Sequence, residues 1–160
     1  MSQLVPGLAL MVPVAGVLPE QVPDNFYAPR GGGRIHEATD IPAPRGTPVV
    51  SADDGHLLRI GRNRHGGNII YATDPSGRFI YYYAHLEAFA AGLTPGQPVR
   101  RGDVLGTVGT TGNASAGHPH LHFQLMLRPS DGSIHGGRPL DARPYFVYPG
   151  RANQAWASIW

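Results

Sequence analysis

Pro119-His120-Leu121-His122-Phe123-Gln124-Leu125 is the stretch that decides the reading of this chain. His120, His122 and Gln124 alternate with Leu121, Phe123 and Leu125, as they should in a strand with one polar and one buried face. In such a strand residues two apart share a face, with Cα atoms roughly 6.6 Å apart. One imidazole of the pair can therefore bind a metal while the other stands beside a water on that metal. Upstream, His36-Glu37-Ala38-Thr39-Asp40 adds a further imidazole and, four residues on, a carboxylate. The glycines Gly31 to Gly33 before it and Pro42 after it disfavour a helix, and the two ends of an extended segment of this length share one face. Two histidines and one aspartate suit a catalytic zinc, which takes three protein ligands and keeps a fourth position for water.

The composition narrows the chemistry. With 160 residues, 41% of them hydrophobic, a single domain over residues 1–160 with a real core is expected. The 22 Gly and 16 Pro separate apolar runs such as Asn68 to Tyr71 and Phe79 to Tyr83, the mark of turns between short strands rather than of disorder. All 13 basic residues are Arg, so Schiff-base lysines, Ser–Lys catalysis and lysine-borne carriers are excluded. The absence of Cys excludes thiol nucleophiles, cysteine-ligated zinc and disulfides. A net charge of +2 with scattered Arg indicates no nucleic-acid groove. The apolar segment Leu4 to Leu18 has no basic residue before it and is interrupted by Pro6 and Pro13, so it reads as an entering strand, not a secretory core or a membrane span.

Along the chain, strands are expected near Leu10 to Val14, Pro48 to Ala52, His56 to Arg62, Asn68 to Thr73, Arg78 to His85, Val104 to Val108 and His120 to Leu127. Asp54-Gly55 signals a tight hairpin, and Leu86 to Ala90 a single helical turn. Gly46-Thr47-Pro48-Val49 and Gly96-Gln97-Pro98-Val99 echo one another, a sign of internal duplication. Long helical periodicity is absent apart from Arg151 to Trp160, and residues 146–160 are read as a peripheral tail. The expected fold is mainly β: an antiparallel sheet of short strands with large loops around the metal.

The ordered motifs His36-x-x-x-Asp40, Tyr83-Ala84-His85-Leu86 and His120-Leu121-His122-Phe123 resemble those of the lysostaphin/LytM-type zinc metalloendopeptidases. Asp40-Ile41-x-Ala43-Pro44-x-Gly46-Thr47-Pro48-Val49, Gly66-Gly67-Asn68, Gly102-Asp103-x-Leu105-Gly106 and Thr111-Gly112-Asn113 agree as well, so the resemblance runs from about Val12 to Tyr145. It implies a duplicated-hybrid-motif-like peptidase domain, with His36, Asp40 and His122 binding one zinc ion and His85 and His120 as catalytic histidines. It further implies a substrate among the cross-link or stem peptides of bacterial peptidoglycan, met in the periplasm or outside the cell. If the full-length protein is exported, its signal is expected to lie outside this chain; the sequence does not fix the oligomeric state, and a monomer is the expectation. Ala38 stands where the family often has Gly, which is tolerated unless that backbone needs a positive φ. Gln124 stands where an acidic residue is frequent.

In the mechanism this implies, zinc lowers the pKa of a bound water and polarises the scissile carbonyl. Neutral His120 accepts the proton and returns it to the leaving amine, while His85 orients the water or stabilises the oxyanion, and the two roles are interchangeable as far as spacing goes. Activity is then expected to fall in acid. The competing reading is a non-catalytic module of the same type that binds and regulates other cell-wall hydrolases. His56, His65 and His135 read as ordinary surface histidines, and His118 as a rim residue. Asp53, Asp54 and Asp103 read as turn residues. Strand alternation puts Tyr81, Tyr83 and His85 on one face and Tyr82 on the other. Asn113 is a loop or substrate residue, and Arg34 a candidate contact for substrate carboxylates.

Overall fold

The computed structural model describes residues 4–148. Thirteen strands make up nearly all of its regular structure: β1 (Leu10–Met11), β2 (Pro29–Arg30), β3 (Arg34–Ile35), β4 (Thr39–Pro42), β5 (Pro48–Val50), β6 (Gly55–Asn63), β7 (Gly67–Thr73), β8 (Phe79–Phe89), β9 (Pro98–Val99), β10 (Val104–Val108), β11 (His120–Leu127), β12 (Arg138–Leu140) and β13 (Phe146–Val147). Two single 3-10 turns, Pro19–Gln21 and Arg143–Tyr145, are the only helical elements among the described residues. The expected antiparallel fold of short strands is present; β1 and β13 add one parallel pair. None of the described helices is long and apolar enough to cross a membrane.

The main sheet runs β12-β11-β8-β7-β6-β9, with β4 on the far side of β11 and β10 bridging β8 to β5. The alternation read from the sequence sets its core. Leu121, Phe123 and Leu125 of β11 are fully buried, and Tyr81 and Tyr83 of β8 lie against Phe123. The Tyr83 hydroxyl oxygen accepts from the Ala52 amide, while the Tyr81 hydroxyl donates to Asp53 at 2.6 Å. Phe146 of β13 is buried against Phe123, so ordered core structure continues two residues into the segment read as a tail. The candidate helix at Arg151 to Trp160 lies outside the described residues.

Three local readings need correction. Leu86 to Ala90 is not a helical turn, because β8 continues to Phe89 and pairs with β10 there. Asp54-Gly55 is not a hairpin between its flanking strands: β5 pairs with β10, and β6 with β7 and β9. Gly55 is required instead for close approach, since a Cβ there would collide with the Thr73 carbonyl. The first strand is short, Leu10–Met11, followed by an isolated bridge from Val14 to Val49. The Gly-x-Pro-Val echo, by contrast, is structural. Gly46 N–H and Thr47 C=O both bond Val108, and Gly96 N–H and Gln97 C=O bond Leu57 in the same way.

Candidate functional site

Strand β11 carries the site on its polar face. His122 stands opposite Asp40 of β4 on one side and Ala84 of β8 on the other, while His120 stands opposite Pro42. His36 precedes β4 in a loop that Glu37 turns with φ 58°, and Ala38 does not need a positive φ, so its methyl costs nothing in backbone strain. Gln124 ties this loop to β11 by donating to the Glu37 carbonyl at 2.9 Å.

His85 reaches the site by breaking the strand alternation. Between the pairs Asn68↔Leu86 and Ile70↔Tyr83 the register shifts, so β8 has one residue more than β7 there, and His85 is that bulge with φ 63°. Leu86 returns to the core, and His85 joins Tyr82 and Ala84 in the cavity wall. The expectation that His85 shares a face with Tyr81 and Tyr83 is therefore overturned. Tyr82 is the tyrosine beside the cluster, its ring edge-on to His122 at 6.0 Å between centroids.

Donor atoms of His36, Asp40 and His122 all lie within 4.8 Å of one another, a group that could hold a metal ion. His36 Nε2 is 3.1 Å from Asp40 Oδ2, and His122 Nδ1 is 3.0 Å from Asp40 Oδ1. The rings of His85 and His120 lie 5.0 Å apart, and His85 is 5.7 Å from His122, closing the other side of the same cavity.

Backbone carbonyls fix three of the four tautomers. A carbonyl only accepts, so Nδ1 is the protonated nitrogen where His36 bonds Asn25 O at 2.9 Å, His85 bonds Thr111 O at 2.8 Å and His120 bonds His118 O at 2.8 Å. In the neutral ring each Nε2 then carries a lone pair. For His36 that nitrogen is buried without a hydrogen bond and faces a carboxylate oxygen. Lone pair against anion is repulsive unless a cation lies between them or His36 is charged. The donor set therefore fits a divalent cation such as zinc.

Electrostatics point the same way. Burial alone would raise the Asp40 pKa, but the hydrogen bond from His122 and the neighbouring imidazoles of His122 and His36 outweigh it and hold the carboxyl well below its ordinary range. The His85 pKa is lowered by burial and by neighbouring His122 and His120, against the opposing pull of the Thr111 carbonyl and Asp40. An imidazole there is a neutral acceptor at pH 7.

A cavity of about 430 Å³ opens over the cluster, with Arg30, His65, Gly66, Tyr82, Asn113 and Ser115 completing its wall. Asn113 lines it, as does His65, which the sequence reading set aside. His118 is exposed and contributes its carbonyl to His120. His135 packs edge-on to Tyr71. Arg34 does not line the cavity and spends its Nε on the Gly31 carbonyl. Asp54 and Asp103 accept backbone amides of Arg101 and Arg100, as turn residues should, whereas Asp53 also takes the Tyr81 hydroxyl and Arg101. Two residues escaped the sequence reading altogether: Asn25, which holds Asp40 by its backbone, and Arg30. Both lie in loop and edge segments without periodicity.

Comparison with known proteins agrees with this geometry. The chain is 44% identical over 100 residues to an L-Ala–D-Glu endopeptidase of Bacillus subtilis (strain 168), covering 59% of this chain and 30% of that protein. It is 32% identical over 105 residues to the peptidoglycan DD-endopeptidase ShyC of Vibrio cholerae, covering 66% of this chain and 23% of that protein. The chain thus spans less than a third of the length of these relatives. Among solved structures, the catalytic domain of the antimicrobial peptidase lysostaphin from Staphylococcus simulans superposes with a TM-score of 0.61 at 31% identity, covering 73% of this chain and 84% of that one. The profile of Peptidase family M23 matches residues 34–141, a span that holds His36, Asp40, His85, His120 and His122 together. A match over more than half of the sequence, with the whole cluster inside it, places the chain in peptidase family M23.

Proposed function

We propose that this chain is one metallopeptidase domain that hydrolyses peptide bonds in the cross-links or stem peptides of peptidoglycan, with His36, Asp40 and His122 holding a single zinc ion and His85 and His120 acting on the substrate. The observation that carries this reading is the convergence of four imidazoles and one carboxylate from β4, β8, β11 and the loop before β4 on one open cavity. The L-Ala–D-Glu and DD-endopeptidase names of its relatives support a peptidoglycan peptide as substrate and the cell envelope or its exterior as the place of action.

Bound zinc supplies a Lewis acid and a water of lowered pKa. The residues of the chain do the rest. His120 directs an unprotonated Nε2 into the cavity because His118 holds its Nδ1 proton, so it accepts a proton from water and passes it to the leaving amine. His85, kept neutral by burial, accepts a hydrogen bond from the same water and orients it. Asn25 fixes the Asp40 backbone and the His36 ring. Tyr82 closes the cavity on the β8 side.

A binding module that regulates other hydrolases would need none of the proton-transfer groups, and both are present here in acceptor tautomers. Release of soluble muropeptides from purified sacculi by zinc-loaded protein, identified by mass spectrometry and abolished by chelator, tests the reading. Stoichiometric zinc with intact sacculi and intact cross-linked peptides would replace it with the binding-module alternative.

A further inference from the structure

Among the described residues, Arg30 is the one permanently charged cation in the cavity wall, and Asp40 the one carboxylate. It ends β2, in the hairpin of two-residue strands that β2 forms with β3 beside the cluster. Its Nη1 donates to the Pro29 carbonyl at 3.2 Å, and its Nη2 lies 3.6 Å from Asp40 Oδ2, beyond hydrogen-bond length. A guanidinium has five N–H donors in a planar fork, so most of the capacity of this one is unspent. Asp40 already serves His36 and His122, and in the proposed reading its charge is also engaged by the ion. Arg45, by comparison, has its charge paired with Glu87, donates also to Thr110, and does not line the cavity. Arg30 lies outside the matched family span, so nothing in that match accounts for it.

We propose that Arg30 is a substrate-binding residue that receives a carboxylate on a residue flanking the scissile bond, making the site selective for anionic peptides over their amidated forms. This rests on the peptidase reading for its choice of ligand. The pairing follows from charge and shape: a planar fork half exposed beside the cluster matches a carboxylate in two-point contact, and desolvation in the cavity strengthens it. Among the described residues the wall offers no second acid to take that role.

The test uses non-cleavable peptides with a ketomethylene group in place of the scissile amide. One pair differs only as carboxylate or carboxamide on the carbonyl-side flanking residue, and a second pair on the amine-side residue. Affinities for zinc-loaded wild-type, Arg30→Gln and Arg30→Lys proteins are measured by calorimetry, with zinc content and circular dichroism confirming that each variant is folded. Wild-type protein should bind the carboxylate form of at least one pair about tenfold or more tightly, Arg30→Lys should keep part of that ratio, and Arg30→Gln should bring it close to one. Equal affinities in the wild type, no binding of any carboxylate peptide, or a preference that survives Arg30→Gln would overturn the inference. Cleavage of the parent amides reads the peptidase assignment separately: selective binding without cleavage removes that assignment alone, and cleavage without selectivity removes this inference alone.

Discussion

Asn25 grips Asp40 by both polar groups of its backbone: Nδ2 donates to the Asp40 carbonyl and Oδ1 accepts from the Asp40 amide, each at 3.0 Å. The Asn25 carbonyl meanwhile receives the Nδ1 proton of His36. One loop residue thus sets the position of a carboxylate and the tautomer of an imidazole that contribute to the same cluster. Asn25→Ala removes the first pair of bonds and leaves two backbone groups of β4 without partners. A stability loss of about 1–3 kcal/mol in denaturant unfolding is expected. A merely structural role would stop there; a positioning role also weakens zinc binding, by about 10–100-fold in competition with a chromophoric chelator.

The tautomers are directly observable. Long-range proton–nitrogen spectra at neutral pH should show His36, His85 and His120 as Nδ1–H forms, because each donates that proton to a backbone carbonyl. Nε2–H spectra from His85 would contradict the assigned role of Thr111.

His85 should also titrate below the ordinary value of 6.5 in the metal-free protein, since burial penalises its charged form. The sign follows from proton binding: the unfolded chain holds a proton at this residue at pH values where the folded chain does not. Its contribution to stability is complete above 6.5 and is lost as pH falls through the lowered value. A bound cation nearby moves the value further in the same direction. Carbon-labelled histidine shifts followed against pH check this, and a His85 midpoint at or above 6.5 would contradict it.

The two histidines of β11 should separate cleanly. His122→Ala should lose both zinc and cleavage, whereas His120→Ala should keep zinc and lose about 10²–10⁴ in turnover. Zinc analysis and peptide hydrolysis on the same preparations decide it; an empty metal site in His120→Ala reverses the assignment within the pair.

Gly112 tests how His85 is held. It has φ 74°, and a Cβ there would strike the Gly67 amide and the His65 carbonyl, where the loop packs onto the β6–β7 turn. The neighbouring Thr111 bonds Asn68 N–H and the Leu86 carbonyl through its hydroxyl and takes the His85 proton on its carbonyl. Gly112→Ala is expected to cost about 3 kcal/mol or more in thermal or denaturant unfolding, through backbone strain plus steric overlap. A change within 0.5 kcal/mol, roughly the range of neutral surface substitutions, would show that the loop is free to move.

What the sequence disclosed follows from periodicity. The alternation in His120 to Leu127 gave the strand, its buried face and the shared face of two histidines, because a strand with one polar side leaves that pattern. The same rule failed at His85, where it assigns the core face of Tyr81 and Tyr83. A one-residue bulge inverts the alternation, and a bulge on a non-glycine residue leaves no mark in composition. Asn25 and Arg30 were illegible for another reason. Each acts from an aperiodic segment across the fold on Asp40, a relation that only tertiary structure creates. Tyr82 was legible in part, since alternation did separate it from its two neighbours.

The most direct measurement is anomalous scattering at the zinc edge from crystals of the zinc-loaded protein. The account requires one ion within about 2.0–2.2 Å of His36 Nε2, an Asp40 carboxylate oxygen and His122 Nδ1, with His85 and His120 beyond bonding distance on its open side. An ion bound by another trio, or one that takes His120 in place of His122, would contradict it.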